Sequence, residues 1–414
     1  MRIKKYFGIV VFLVLMSYVL PTGSTLLPRT QNTIDSIAQP YELDLATWEL
    51  KNTAPKWQSL LRVFRTAIPG PADQALVDKY FTNAQMETGV EYQLRTLDPK
   101  KEADQTRANS LEAELVRLNA AGRQLEPQVE DAIEKQLAAI ILQEKLKPPW
   151  LPSDRVFPPV NIKLESMPVV LVVSPRDKIR VAYTTVLKAG LHQQEIDLIE
   201  NRIRAAGYSA IVEPLGGFGT YPAMIPRDSN LDFVLTVSAH EWVHNLLIFA
   251  PLGQSYGSSD DMRTMNETTA NIVGKELAGE LKDRYYRLDA KLAGRVASSA
   301  QKEDFDFDME MRKTRLEVDR LLGRGDIVGA ETFMENERIH LAQKGSYIRR
   351  LNQAYFAFHQ NYADSPLTTN RIGQGLVDLR VECKSLVDFV QTVSAFSSVQ
   401  DLDRALAARR GQEP

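Results

Sequence analysis

The chain has 414 residues, of which 44% are hydrophobic and 25% charged, and its formal net charge is −3. This is the composition of ordinary globular proteins, and the length allows two or three packed units. The near balance of charge excludes the basic excess typical of nucleic-acid-binding domains. The sequence also lacks the kind of acidic block that would indicate a disordered tail.

The first 24 residues have the pattern of a targeting segment. Three basic side chains lie within the first five residues, and residues 7–20 form an uncharged apolar run. A run of this length suits a signal peptide better than a membrane span, which needs about 20 apolar residues. We therefore predict export to the cell envelope or the extracellular space, with residues 1–24 either cleaved or retained as a membrane anchor through residues 7–20. The single cysteine, Cys383, predicts that no intrachain disulfide forms.

Residues 25–147 are predicted to form an N-terminal helical region. From Asp73 to Leu146 the chain is rich in Ala, Leu, Glu, Gln and Lys, and its apolar residues recur at helical spacing on both sides of Pro127. This pattern predicts two or three antiparallel helices that pack on the rest of the protein. A coiled-coil platform for a partner is the alternative, which the interruption of the heptad pattern at Pro127 disfavours.

A proline-rich stretch around residues 147–159 marks the start of a second unit, predicted to cover residues 148–282. The pattern beyond it predicts strands at 169–173, 179–187 and 209–213 and a helix at 192–206. Residues 216–225 follow, in which three glycines precede Pro222. This composition fits an edge strand better than a central strand, or else a plain surface hairpin.

Residues 238–247 contain the pattern His-Glu-x-x-His within a predicted helix. His240 and His244 are four residues apart, so both imidazoles lie on one face and can be presented to one cation. Glu241 lies one residue round the helix, within reach of a water held there. Zinc hydrolases use two histidines and a carboxylate base in this way. The alternative is a buried helix with ordinary core histidines.

Glu267 is the candidate third ligand, because a catalytic zinc has three protein ligands. Glycine, proline, serine and aspartate residues over 251–261 predict a loop, and the pattern from Met262 to Leu281 predicts a second helix. A helix, a reversing loop and a second helix would bring Glu267 back beside the two histidines.

These residues resemble the gluzincin metallopeptidases, the group of thermolysin-like enzymes and zinc aminopeptidases, in which a glutamate on the next helix completes the motif. The resemblance implies His240, His244 and Glu267 as zinc ligands, Glu241 as general base, and a peptide or protein as substrate. Many such enzymes carry an acidic residue four positions after the third ligand, which orients a liganding histidine. This chain has Asn271 there, which can accept an N–H but carries no charge.

The order of strands, helix, strands and motif helix is that of a zincin catalytic domain. The expected fold class is α+β, a mainly helical zincin-like metallopeptidase with a small mixed β-sheet before the active-site helix. Zincins pair a peptide substrate with an exposed edge strand, a role that residues 216–225 would take unless they form a surface hairpin.

Residues 283–414 are predicted to form a C-terminal helical subdomain. Helices are expected at 305–322, 327–344, 346–361 and, as closing helices, between 373 and 406. Asn352, Tyr355 and His359 would share one face of the third helix. Peptide hydrolysis needs a donor to the developing oxyanion, commonly Tyr or His in gluzincins. Asn352, Tyr355 and His359 are therefore the candidates, and the mechanism takes Tyr355 or His359 as the donor. The alternative is an aromatic stripe in a helical core.

The sequence thus predicts an exported zinc-dependent peptidase that needs no nucleic-acid partner. An aminopeptidase would need further carboxylates to hold a substrate amine, and no motif fixes them, so exopeptidase and endopeptidase both remain open. The competing hypothesis is a non-catalytic cell-envelope interaction protein, in which the long helices bind a partner and the metal site is structural or degenerate.

Overall fold

The computed structural model describes residues 23–53, 68–97, 101–146, 155–286, 305–359 and 371–411. The protein is mainly helical and has a small amount of β-sheet with both antiparallel and parallel pairing, which confirms the α+β class. Among these residues, no helix has both the length and the apolar composition needed to cross a membrane. The expected signal or anchor segment at residues 7–20 lies outside the described residues.

Six strands are described: β1 (Gly23–Ser24), β2 (Ile162–Glu165), β3 (Val169–Pro175), β4 (Tyr183–Leu187), β5 (Tyr208–Pro214) and β6 (Ala223–Pro226). The helices with described bounds are α1 (Pro28–Ala38), α2 (Pro71–Thr96), α3 (Glu102–Gln143), α4 (Gln193–Ala205), α5 (Leu231–Leu247), α6 (Pro251–Gln254), α7 (Asp260–Tyr285), α8 (Phe307–Gly323), α9 (Ile327–Gln343), α10 (Gln353–His359), α11 (Ile372–Glu382), α12 (Leu386–Ser394) and α13 (Val399–Arg409). A short 3-10 helix (Gln39–Tyr41) and a helical stretch at 45–53 lie between α1 and α2.

The main sheet is antiparallel, with the strand order β1-β4-β3-β5. Its central strand, β3, is the β-branched run predicted from the sequence, and it is buried along five of its seven residues. Val170 of β3 pairs with Val186 on one side and Glu213 on the other. The three predicted strands are therefore present, and Gly23–Ser24, the last two residues of the predicted targeting segment, add a short edge strand that the sequence did not predict.

A separate two-stranded sheet leads the chain into the motif helix. Strands β2 and β6 pair in parallel, with Ile162 opposite Ala223. Helix α3 covers the other edge of β2, because Glu134 and Glu130 accept hydrogen bonds from the backbone N–H groups of Ile162 and Leu164, each at 2.9 Å. The buried edge is thus satisfied by carboxylates instead of by another strand.

Helices α2 and α3 form an antiparallel pair, as predicted, and α3 continues through Pro127 without ending. A proline inside a helix costs about 3 kcal/mol. The residues after it offset this cost, since Val129, Ile133 and Leu137 are fully buried in the largest core cluster.

The predicted helix at 346–361 is wrong over its first seven residues, because α10 begins only at Gln353. The Asn352 side chain explains this start. Its Oδ1 accepts a hydrogen bond from the Tyr355 backbone N–H at 2.9 Å, and its Nδ2 donates to the Ala210 carbonyl at 2.9 Å. Asn352 therefore caps the helix and does not share its side face. Residues 360–361 of the prediction lie outside the described residues.

Candidate metal centre

Helix α5, which carries the motif, begins at a well-formed cap. Asn230 Oδ1 accepts a hydrogen bond from the Phe233 backbone N–H at 2.9 Å, and Asp232 places a negative charge in the first turn. Eleven residues of the helix are buried, so it is enclosed on most sides. The Trp242 indole donates to the Pro158 carbonyl at 2.9 Å, which fixes the rotation of the helix.

Helix α7 brings the third candidate ligand to α5. It begins at Ser259, whose hydroxyl accepts a hydrogen bond from the Met262 backbone N–H at 3.1 Å. Further along, Gly274 lies against the His240 backbone so closely that a Cβ on Gly274 would stand 3.0 Å from the backbone nitrogen of His240. This close approach of the two helices places Glu267 beside the motif, as the sequence predicted.

Three side chains converge at one point. His240 Nε2 and His244 Nε2 are 2.9 Å apart, and each lies 3.5 Å from Glu267 Oε2. Ligand atoms held about 2.0–2.1 Å from a tetrahedral zinc ion stand about 3.3 Å apart. The donor atoms therefore fit one zinc ion. The side chains are largely buried, with 10–13% of their surface exposed.

Asn266 orients one of the two histidines. Its Oδ1 lies 2.8 Å from His244 Nδ1, and its Nδ2 donates to the Leu252 carbonyl at 3.3 Å. With a proton on Nδ1, the lone pair of Nε2 points toward His240 and Glu267. Asn271, predicted for this role, makes no hydrogen bond to either histidine in the part of the chain that the structure describes. The sequence signal missed was an amide next to the third ligand.

The three groups are electrostatically coupled in the metal-free protein. Burial alone would lower the pKa of His244, but the adjacent Glu267 carboxylate raises that pKa to about 9. Burial would raise the pKa of Glu267, and the two imidazoles instead hold it well below its usual value. These two groups therefore form an imidazolium–carboxylate pair at neutral pH, and a metal ion that binds there would displace the proton from His244.

Glu241 sits beside this group with 5% of its surface exposed, and burial raises its pKa. The backbone of Gly217 passes directly over it. A Cβ on Gly217 would stand 2.2 Å from Glu241 Oε1 and 2.5 Å from Val237 Cγ1. Only glycine leaves room for the carboxylate in this position.

The rest of the glycine-rich segment is buried. Phe218 and Met224 exchange backbone hydrogen bonds at 3.1 and 3.0 Å, and Tyr221 between them is fully buried. The segment is therefore a hairpin packed inside the protein, so the plain surface hairpin is not what forms. Only its start, at Gly216 and Gly217, runs along α5 next to Glu241.

Tyr355 and His359 lie on α10, which packs against β3 and β5. Their rings are 4.2 Å apart, and Tyr355 contacts the apolar cluster of Val170, Val172 and Ile211. Among the described residues, none of their hydrogen bonds or ring contacts reaches the three converging side chains. These contacts give no support for either residue as an oxyanion donor and resemble the aromatic packing considered as the alternative.

Comparison of the chain with protein-family models, with curated proteins and with solved structures finds no match in any of the three. The likeness to gluzincins therefore depends on the motif residues and on the geometry described above.

Proposed function

We propose that the protein is a zinc-dependent peptidase that acts outside the cytosol. The observation that carries this proposal is the convergence of His240, His244 and Glu267 on one point beside a buried carboxylate, Glu241. A structural zinc site is usually closed by four protein ligands, whereas a catalytic one has three and an open position. Among the described residues, this group supplies three.

The donor set favours zinc over the harder cations. Two imidazoles and one carboxylate suit zinc, whereas magnesium and calcium prefer oxygen donors. When bound, zinc supplies a Lewis acid that polarises a carbonyl and lowers the pKa of water to about 7.

Glu241 acts as the general base in this proposal. Its carboxylate takes the proton from the water that attacks the peptide carbonyl, and it then delivers that proton to the nitrogen of the leaving amine. Asn266 keeps the His244 ring in the tautomer that presents Nε2. No role in this scheme is required of Tyr355 or His359.

The backbone at Gly216, which is exposed, and at Gly217, which is half-buried, is the surface we assign to the substrate. Within the described part of the chain, the backbone N–H and C=O groups of these two residues make no hydrogen bond. They lie next to Glu241 and carry no side chain that would keep another strand away. An extended peptide can pair with such groups as an added strand, which would hold its scissile bond over the metal site.

Metal removal distinguishes this proposal from the competing one, a non-catalytic envelope protein with a structural metal. The full chain is treated with a chelator, and its circular dichroism and its hydrolysis of a broad peptide mixture are followed. The proposal predicts that hydrolysis stops while the fold persists, and that added zinc restores hydrolysis. Unfolding on chelation, or hydrolysis that continues without metal, would count against it.

A further inference from the structure

The loop between α6 and α7 carries a tyrosine that touches the metal centre. Tyr256 is held in this loop by a hydrogen bond from its backbone N–H to the Gly253 carbonyl at 3.1 Å. Two residues later, the Ser258 backbone N–H donates to the Ser255 carbonyl at 3.0 Å. Ser259 then caps α7. The loop backbone is thus fixed on both sides of the tyrosine.

The Tyr256 hydroxyl donates a hydrogen bond to Glu267 Oε1 at 2.8 Å. The other carboxylate oxygen, Oε2, is the one that faces His240 and His244 at 3.5 Å. The two oxygens of Glu267 therefore have separate partners. One is bound to the protein, and the other remains for a metal.

The Tyr256 ring makes two further contacts that fix its position. Its edge-to-face contact with His244 has a centroid distance of 6.3 Å and an interplanar angle of 88°, and the Arg263 guanidinium lies 5.7 Å from the ring centroid. A cation near an aromatic face stabilises the ring position. The ring thus links the orientation of one ligand, His244, to that of another, Glu267.

We infer that Tyr256 is a positioning residue of the zinc site, which holds Glu267 as a one-oxygen ligand by binding its second oxygen. The inference depends on the proposed zinc site and adds a residue to it. Without the hydroxyl, the buried Oε1 loses its donor and Glu267 can rotate away from the histidines. Loss of such an outer partner typically weakens metal binding about 10- to 100-fold.

The test measures the zinc dissociation constant of the full chain by competition with a chromophoric chelator. Tyr256→Phe keeps the ring and removes the hydroxyl, so we expect zinc binding 10- to 100-fold weaker, with hydrolysis largely restored when zinc is saturating. The matched control is Tyr286→Phe, which removes a tyrosine hydroxyl bonded to Gln136 away from the site. It should leave zinc affinity within about two-fold of the parent.

A double-mutant cycle separates positioning from a general structural effect. On a Glu267→Ala background, Tyr256→Phe should change zinc affinity by less than about two-fold, because the carboxylate that the hydroxyl holds is gone while the ring contact with His244 is kept. The inference would be overturned if Tyr256→Phe alone left the zinc affinity unchanged, whether or not kcat at saturating zinc fell. It would also be overturned if the losses in the cycle were additive or if the variant lost its fold. If the parent itself binds no zinc, the proposed function fails along with it.

Discussion

Asn266 accepts a hydrogen bond from His244 through atoms 2.8 Å apart, so the residue next to the third candidate ligand orients the second. Both ends of this contact are fixed, because α5 and α7 pack closely and the Asn266 amide also donates to the Leu252 carbonyl in α6. The sequence Asn266-Glu267 thus supplies a ligand and an orienting group from adjacent positions.

Replacing Asn266 by alanine should weaken zinc binding. The His244 ring would lose the acceptor that fixes its tautomer, and we expect a zinc dissociation constant about 10- to 100-fold higher. Chelator competition measures this value. Asn271→Ala is the matched control on the same helix and should bind zinc as the parent does. Equal losses in the two variants would show that the hydrogen bond has no specific role.

Substitution of Gly217 should reduce activity strongly without removing the metal. The Cβ of Gly217→Ala would overlap Glu241 Oε1, which is the end of a flexible side chain and would move aside. A displacement of about 1 Å at the base can reduce rate about 100-fold. The measurement is kcat/KM together with zinc content.

Gly216→Ala is the comparison for this prediction. A Cβ there would meet only Phe233 Cζ, at the ordinary distance of 3.6 Å. This variant should be at least about ten times more active than Gly217→Ala, in keeping with the approximate rate cost of misplacing the base. Similar activities would contradict the proposed crowding of Glu241.

Gly274→Ala should destabilise the protein. The added methyl would meet the His240 backbone at 3.0–3.1 Å, and crowding in a packed interface costs about 1–3 kcal/mol. Gly279 lies on the same helix with open space around it, so Gly279→Ala should raise stability by about 0.5–1 kcal/mol through helix propensity. Urea unfolding measures both. Stabilisation by both substitutions would contradict the described helix contact.

His359 should make the stability of the protein depend on pH. Burial lowers the pKa of this imidazole from 6.5 to about 4, and among the described residues its Nε2 has no hydrogen-bond partner. Below about pH 6.5 the unfolded chain takes up a proton that the folded protein does not, so the free energy of unfolding falls between about pH 6.5 and 4.

The His359→Leu variant isolates this effect. Between about pH 6.5 and 4, the free energy of unfolding of this variant should fall by about 1–3 kcal/mol less than that of the parent. Urea unfolding at several pH values measures this difference. Tyr355→Phe alters the neighbouring ring and should keep the pH dependence of the parent. Identical pH profiles for the parent and His359→Leu would show that the imidazole is not desolvated.

Much of the fold could be predicted from local pattern. The apolar periodicity predicted α7, α8 and α9 to within a few residues, and the β-branched runs predicted β3 and β4. Such patterns show which face of a single segment is apolar. They therefore predict the element correctly where burial of that face determines its structure. They failed at residues 346–352, where the Asn352 side chain bonds the backbone and starts the helix later than the pattern suggested.

Of the candidate site, the sequence predicted only the three side chains that converge. His240 and His244 are linked by helical spacing, and a turn between two helices was enough to bring Glu267 to them. The roles of Asn266, Tyr256 and Gly217 depend on how α5, α7 and the glycine segment pack, to within about 1 Å. Contacts between distant segments leave no periodic signal in one sequence. The burial of residues 218–224 was missed for the same reason, since it requires β6 to pair with β2.

The central claim is that Glu241 serves a bound zinc as the base of peptide hydrolysis. Zinc content and peptide hydrolysis of the parent chain, measured beside Glu241→Gln, test it most directly. We predict about one zinc per chain in both proteins and at least a 100-fold lower kcat, on the order expected for loss of a general base, in the variant. Two folded proteins that hold no zinc, or a Glu241→Gln variant as active as the parent, would contradict the account.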